Sequence, residues 1–176
     1  MDNETRERIL AYLSAHNTLT LATERDGAPW ANALFYANDG WTLYFVSDPR
    51  TRHVDHLKHN ARVAATIQDD HRDWRTIQGV QLAGWCEEIT NPVESARALT
   101  VYAAKFPFVK DLLHAPKELG AAMSKARFHK ITPTWIRLID NTRGLGHKEE
   151  IDLAEQRQAE FHTFGHRRQR KGTRGR

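Results

Sequence analysis

The feature that most constrains the fold is a pair of β-patterned runs, residues 30–38 and 41–47, followed at once by a helix start. Both runs are rich in aromatic and β-favouring side chains, with the turn formers Asn38, Asp39 and Gly40 between them, which predicts a hairpin. Directly after the second run, residues 47–53 supply Ser47, Asp48, Pro49, Arg50, Thr51, Arg52 and His53. Hydroxyls, cations and a helix start at the end of a strand suit a phosphate, because the first amides of a helix lack internal acceptors and carry positive charge. Arg52 adds a planar fork that matches phosphate oxygens. Either Asp48 or Thr51 can cap this helix; Thr51 is preferred, since a carboxylate cap would repel the anion.

The remaining chain repeats the alternation of sheet and helix. Ile9, Leu10 and Leu13 predict an amphipathic helix over 3–14, and residues 17–23 alternate as a strand that turns at Asp26 and Gly27 into the 30–38 run. Strands one to three are therefore expected as a meander. A short helix over 51–59, a strand over 61–67 and a polar loop carrying Trp74 follow. The long strand over 76–89 places Val80, Leu82, Gly84 and Cys86 on one face and Gln81 and Trp85 on the other, and Gly84 in mid-strand predicts a bend or bulge. Asn91 and Pro92 open a helical insertion over 92–124, and 126–139 resumes strand alternation with Pro133 at an edge or bulge. The fold expected is mainly β with α: a six-stranded antiparallel split β-barrel with peripheral helices.

Charge and composition narrow the function. The chain has 176 residues and a net charge of +4, but 166–176 hold six of its 26 cations and no acid, leaving 20 against 22 acids elsewhere. Basicity thus belongs to a tail, taken as 154–176 after a domain over 1–153, and that tail lacks the apolar residues needed to fold. Contact between the tail and RNA or another acidic partner stays open. A single cysteine, Cys86, suits a reducing compartment, and neither an apolar run of membrane length nor a signal-like start is present, so a cytoplasmic location and no membrane are expected. His53, His56 and His59 recur every third residue, yet successive steps of about 100° keep the three from converging on a metal.

The order of these pieces resembles the pyridoxamine 5'-phosphate oxidase-like FMN-binding split-barrel superfamily. The likeness runs through Ala33, Leu34, Phe35 and Tyr36, then Leu43 to Ser47, Thr51 to His53, the strand ending at Gly84, and the final strand to Asp140. It is greatest for a small bacterial branch, where residues 141–148 also fit. The resemblance implies a homodimer that encloses FMN at its interface. Ala33, Leu34 and Phe35 would line the flavin ring; Ser47, Thr51, Arg52 and His53 would hold the phosphate; Gln81 would lie near the ring or ribityl chain; and His147 and Lys148 would reach the partner subunit's flavin. An oxidoreductase acting on a small organic substrate, with a nicotinamide as electron source, follows. The alternative is a non-catalytic module for flavin, haem or a phosphate-bearing metabolite. Asn32 and Ala37 stand where the oxidase has basic residues, so pyridoxamine phosphate is not the expected substrate. His53 replaces a lysine, so the phosphate grip is expected to weaken as that imidazole deprotonates.

Overall fold

A computed structural model describes residues 3–113 and 125–154. Helix α1 (Asn3–Ala15) is followed by β1 (Thr18–Arg25), β2 (Ala28–Phe35), β3 (Ala37–Asp39) and β4 (Thr42–Ser47). After the short helix α2 (Arg52–Leu57) come β5 (Arg62–Gln68), β6 (Gln78–Glu88), α3 (Pro92–Lys105), α4 (Phe108–Leu113), β7 (Arg127–Asp140) and β8 (Lys148–Asp152). The strands form one antiparallel sheet in the order β2-β1-β5-β6-β7-β4-β3, with β8 also paired to β7.

Among the described residues eight strands replace the six expected, for two local reasons. The 30–38 run is not one strand: it breaks at Tyr36, whose N–H donates to Asn17 O at 3.0 Å and whose buried hydroxyl donates to Leu13 O at 2.7 Å. The residues before Tyr36 pair with β1 and those after it pair with β4. The hairpin therefore covers only Ala37 to Tyr44, and the expected meander is replaced by an order in which β2 and β4 are far apart. The second addition, β8, lies in a stretch too polar to show a buried face.

Because β2 and β3 sit at opposite ends of the strand order yet are joined by one residue, the sheet must curl back on itself. Its two ends meet without pairing, which makes the barrel split. Leu19, Leu21, Phe45, Ile67, Leu82, Ile131 and Ile136 fill the interior, and Ile9 and Leu13 of α1 plug one end. Burying such side chains is the main favourable term in folding.

The long strand behaves as its pattern predicts. Val80, Leu82, Gly84 and Cys86 are buried and Gln81 and Trp85 exposed. Register slips between Ala83 and Gly84, where Gly84 lies opposite Pro133. A Cβ on Gly84 would stand 2.3 Å from Thr132 O, so only glycine admits this approach. Asn91 caps α3 by accepting from the amides of Val93 and Glu94 at 2.9 and 3.1 Å, with Pro92 in the first turn. The end of the predicted insertion, 114–124, and the tail from 155 lie outside the described residues. No helix among the described residues is long and apolar enough to cross a membrane.

Candidate functional site

Strand β4 ends at Ser47, and the turn that follows brings three of the predicted residues together. Ser47 Oγ lies 2.6 Å from His53 Nε2 and 3.1 Å from Thr51 Oγ1, and Thr51 Oγ1 lies 3.2 Å from the same ring nitrogen. Thr51 is the N-cap residue of α2, as preferred, with extended backbone. Its hydroxyl, however, donates to Asp48 O at 2.9 Å, so the Thr51 side chain does not cap the helix and, among the described residues, its first amides stay available. Asp48 does not oppose an anion here: Arg50 binds its carboxylate through N–H at 2.8 Å and Nη2 at 2.7 Å, and this pairing holds the Asp48 pKa down to about 2.

His53 is buried, and burial, together with the neighbouring His129 and His56, lowers its pKa to about 4. The ring is neutral at physiological pH, so its deprotonation does not weaken an anion site in that range; the expected pH sensitivity is corrected on this point. His53 faces the Ser47 hydroxyl from inside the barrel, beside Phe45, which also stacks on buried His129 with ring centroids 5.0 Å apart.

Arg52 is an exposed cation at this corner. Its guanidinium lies over the ring of Trp30 at 4.5 Å, and its Nε donates to His56 Nε2 at 3.4 Å. Buried His56 in turn bonds Thr23 Oγ1 through Nδ1 at 3.3 Å. Sequence reasoning missed Trp30, His56 and Thr23. The i, i+4 spacing of Arg52 and His56 is a signal legible in the chain; the approach of Trp30 is tertiary. His59 points elsewhere, with Nδ1 bonded to Asp55 O.

Ala33, Leu34 and Phe35 lie on β2, an end strand whose outer backbone edge takes no neighbouring strand among the described residues. Leu34 packs on the core, while Ala33 and Phe35 face outward. Phe35 is 50% exposed and meets Phe106 and Phe108 at centroid distances of 5.3 and 5.8 Å. Asn32 Oδ1 is buried without a hydrogen-bond partner among the described residues. An unpaired strand edge and an orphan acceptor, beside a corner of hydroxyls and a guanidinium, are complementary to a flat heterocycle bearing N–H groups, carbonyls and a phosphate.

The other predicted residues lie elsewhere. Gln81 is exposed on the outer face of β6, accepting from Arg137 Nη1 at 3.4 Å. His147 donates to Glu149 Oε1 at 2.9 Å, and Lys148 pairs with Ile139. Burial of Glu149 would raise its pKa, but hydrogen bonds from His147, Thr5 and Arg8 outweigh this and hold it near 2. Ser47 pairs with Arg127 at one end of β7 and Lys148 with Ile139 at the other, separated by roughly 40 Å of strand contour at about 3.3 Å per residue. One chain does not bring them together.

Residues 5–140 match the family model described as pyridoxamine 5'-phosphate oxidase. The chain belongs to this family. Its branch is bacterial: a UPF0306 protein of Klebsiella pneumoniae (strain 342) is 31% identical over 147 residues, spanning 82% of this chain and 91% of the relative. Two solved structures share the fold at lower identity. A heme binding protein from Mycobacterium smegmatis superposes with a TM-score of 0.64 at 21% identity, over 82% of this chain and 57% of that one. An FAD-binding protein from Mesorhizobium loti gives 0.59 at 22%, over 74% and 90%. Membership of the family agrees with the split barrel built above from strand order.

Proposed function

We propose that this family member is an FMN-binding flavoprotein, an oxidoreductase for a small organic substrate that works as a homodimer. The observation that carries the reading is the corner formed by Ser47, Thr51, Arg52 and the uncapped start of α2 beside the unpaired edge of β2. The Ser47 hydroxyl, the Thr51 hydroxyl once it turns from Asp48 O, and the Arg52 fork hold the phosphate, while His53 contacts Ser47 from within. The backbone of Ala33, Leu34 and Phe35 lies along the ring, and Asn32 supplies an acceptor at its edge. Bound FMN supplies two-electron chemistry, with a nicotinamide as reductant. The protein's part is to orient the ring and exclude water.

The dimer follows from the separation of the remaining residues. The outward faces of β1, β2, β5 and β6 carry Ala22, Ala31, Ala64 and Ala83 in one band, with Thr20, Ala33, Thr66 and Gln81 in the next. Such a smooth face admits close approach of a second copy, flanked by the exposed ring of Trp85. A second copy brings His147 and Lys148 to a flavin held at Ser47 of the first. Haem is the rival occupant, favoured by the heme binding protein that shares the fold.

The test is an absorbance spectrum of the purified full chain, before and after adding FMN, beside Arg52→Ala. Flavin bands that weaken in the variant, and bleach on adding a reduced nicotinamide, are the expected result. A Soret band would transfer the site to haem. A colourless protein indifferent to FMN would remove the flavoprotein reading.

A further inference from the structure

The carboxylates nearest Arg52 in sequence are already claimed. Asp48 is bound by Arg50 at 2.7 Å. Asp55, one helical turn after Arg52 and its natural ion-pair partner, is bound instead by Arg25 at 2.5 Å. Among the described residues no acceptor is recorded for the terminal amino groups of Arg52, although its Nε is engaged by His56. A long cationic side chain at the exposed first position of a helix ordinarily samples many rotamers. Here it is held at two points, by the Trp30 ring at 4.5 Å and by His56 Nε2 at 3.4 Å.

We infer that Trp30 and His56 are positioning residues that hold the Arg52 guanidinium with its terminal amino groups free to grip a phosphate. The proposal rests on the phosphate reading of this corner and adds to it what aims the cation.

The chemistry of each contact fits. An Arg Nε–H has only donor character, so His56 Nε2 must present its lone pair, and the ring proton sits on Nδ1, donated to Thr23 Oγ1 at 3.3 Å. Thr23 is buried on the inner face of β1 and so fixes both the ring's plane and its tautomer. Trp30 occupies one face of the guanidinium, the arrangement in which an aromatic quadrupole attracts a cation without using any of its N–H groups. The fork that meets two phosphate oxygens at once is therefore pre-set before any ligand arrives, which reduces the ordering lost on binding. A carboxylate in place of Trp30 would hold the arginine too, but would neutralise it and occupy the same N–H groups.

The readout is the ratio of FMN affinity to riboflavin affinity, since the two ligands differ only in the phosphate. It is measured by flavin fluorescence on the full chain and on Trp30→Leu, Trp30→Phe, His56→Leu, Arg52→Ala and the Trp30→Leu/Arg52→Ala double variant. Trp30→Leu and His56→Leu are each expected to lower the ratio about three- to tenfold with riboflavin affinity unchanged. Trp30→Phe, which keeps a ring, retains most of it. Adding Trp30→Leu to Arg52→Ala changes nothing further. A merely structural role for Trp30 would weaken both ligands alike, and that outcome overturns the proposal. So does a wild type that prefers FMN, loses the preference in Arg52→Ala and keeps it in Trp30→Leu; the phosphate reading then stands alone. A wild type that binds FMN no better than riboflavin removes both.

Discussion

Burial of His53 moves its titration well below the range in which an exposed imidazole changes charge, and this has a consequence for stability. The ring binds its proton at about pH 4 in the folded chain, against 6.5 in the unfolded one. Between these values the unfolded state takes up a proton that the folded state refuses, so stability is full above pH 6.5 and falls as the pH drops toward 4. From pH 7.5 to pH 5 the loss from His53 is about 2 kcal/mol, at about 1.4 kcal/mol per pKa unit. His129, also pushed down by burial, adds a loss of the same sign. Urea unfolding at the two pH values is expected to show the drop, and His53→Gln is expected to remove His53's share of it. An unchanged slope in that variant would mean that the ring is accessible to solvent. Ser47, Thr51, Arg52 and His53 were legible as neighbours because all lie within seven residues of one turn. That His53 points inward was not legible, because a histidine reads alike on either face of a six-residue helix.

At the scale of elements, β6 shows how far a pattern can reach. Alternation identified its buried face, and glycine in that face announced the bulge, since a missing side chain in a packed strand marks a close backbone approach. Gly84→Ala is expected to force its new methyl against Thr132 O and Pro133 Cα, both backbone atoms that have no rotamer to yield. The strands must separate, at a cost of about 3 kcal/mol. A fall in Tm of roughly 10 °C is the corresponding expectation for a chain of this size; a shift within a degree or two would show that β7 moves freely there. The 30–38 run shows the opposite case. Its residues alternate well enough for one strand, and nothing local marks the break at Tyr36. The break exists because that tyrosine is drawn inward to Leu13 O, leaving the strand segments on either side at different edges of the sheet.

At the scale of the molecule, the curl of the sheet sets the corner at Ser47 at one end of β7 and the His147–Glu149 network at the other. Two copies packed through the alanine band would complete what one copy separates. Ala64 is exposed at the middle of that band, between Ala22 of β1 and Ala83 of β6. Ala64→Arg leaves the barrel interior untouched and is expected to convert a dimer into a monomer by sedimentation. FMN affinity should fall with it, because residues from the second copy are withdrawn. A variant that remains dimeric would place the contact on another face.

What the chain determined by itself is everything carried by short-range pattern: the strand character of β1, β4, β5, β6 and β7, where α1, α2 and α3 begin, why Gly84 must be glycine, and that hydroxyls and cations gather after β4. What only the tertiary structure decided is which strands are neighbours, that the 30–38 run divides between two sheet edges, and that Trp30, His56 and Thr23 converge on Arg52. The physical reason is range. Periodicity and capping act over a few residues and are written in the order of side chains. Strand order and the contacts between distant segments arise from burying all the apolar faces at once, a condition on the whole molecule that no single segment expresses.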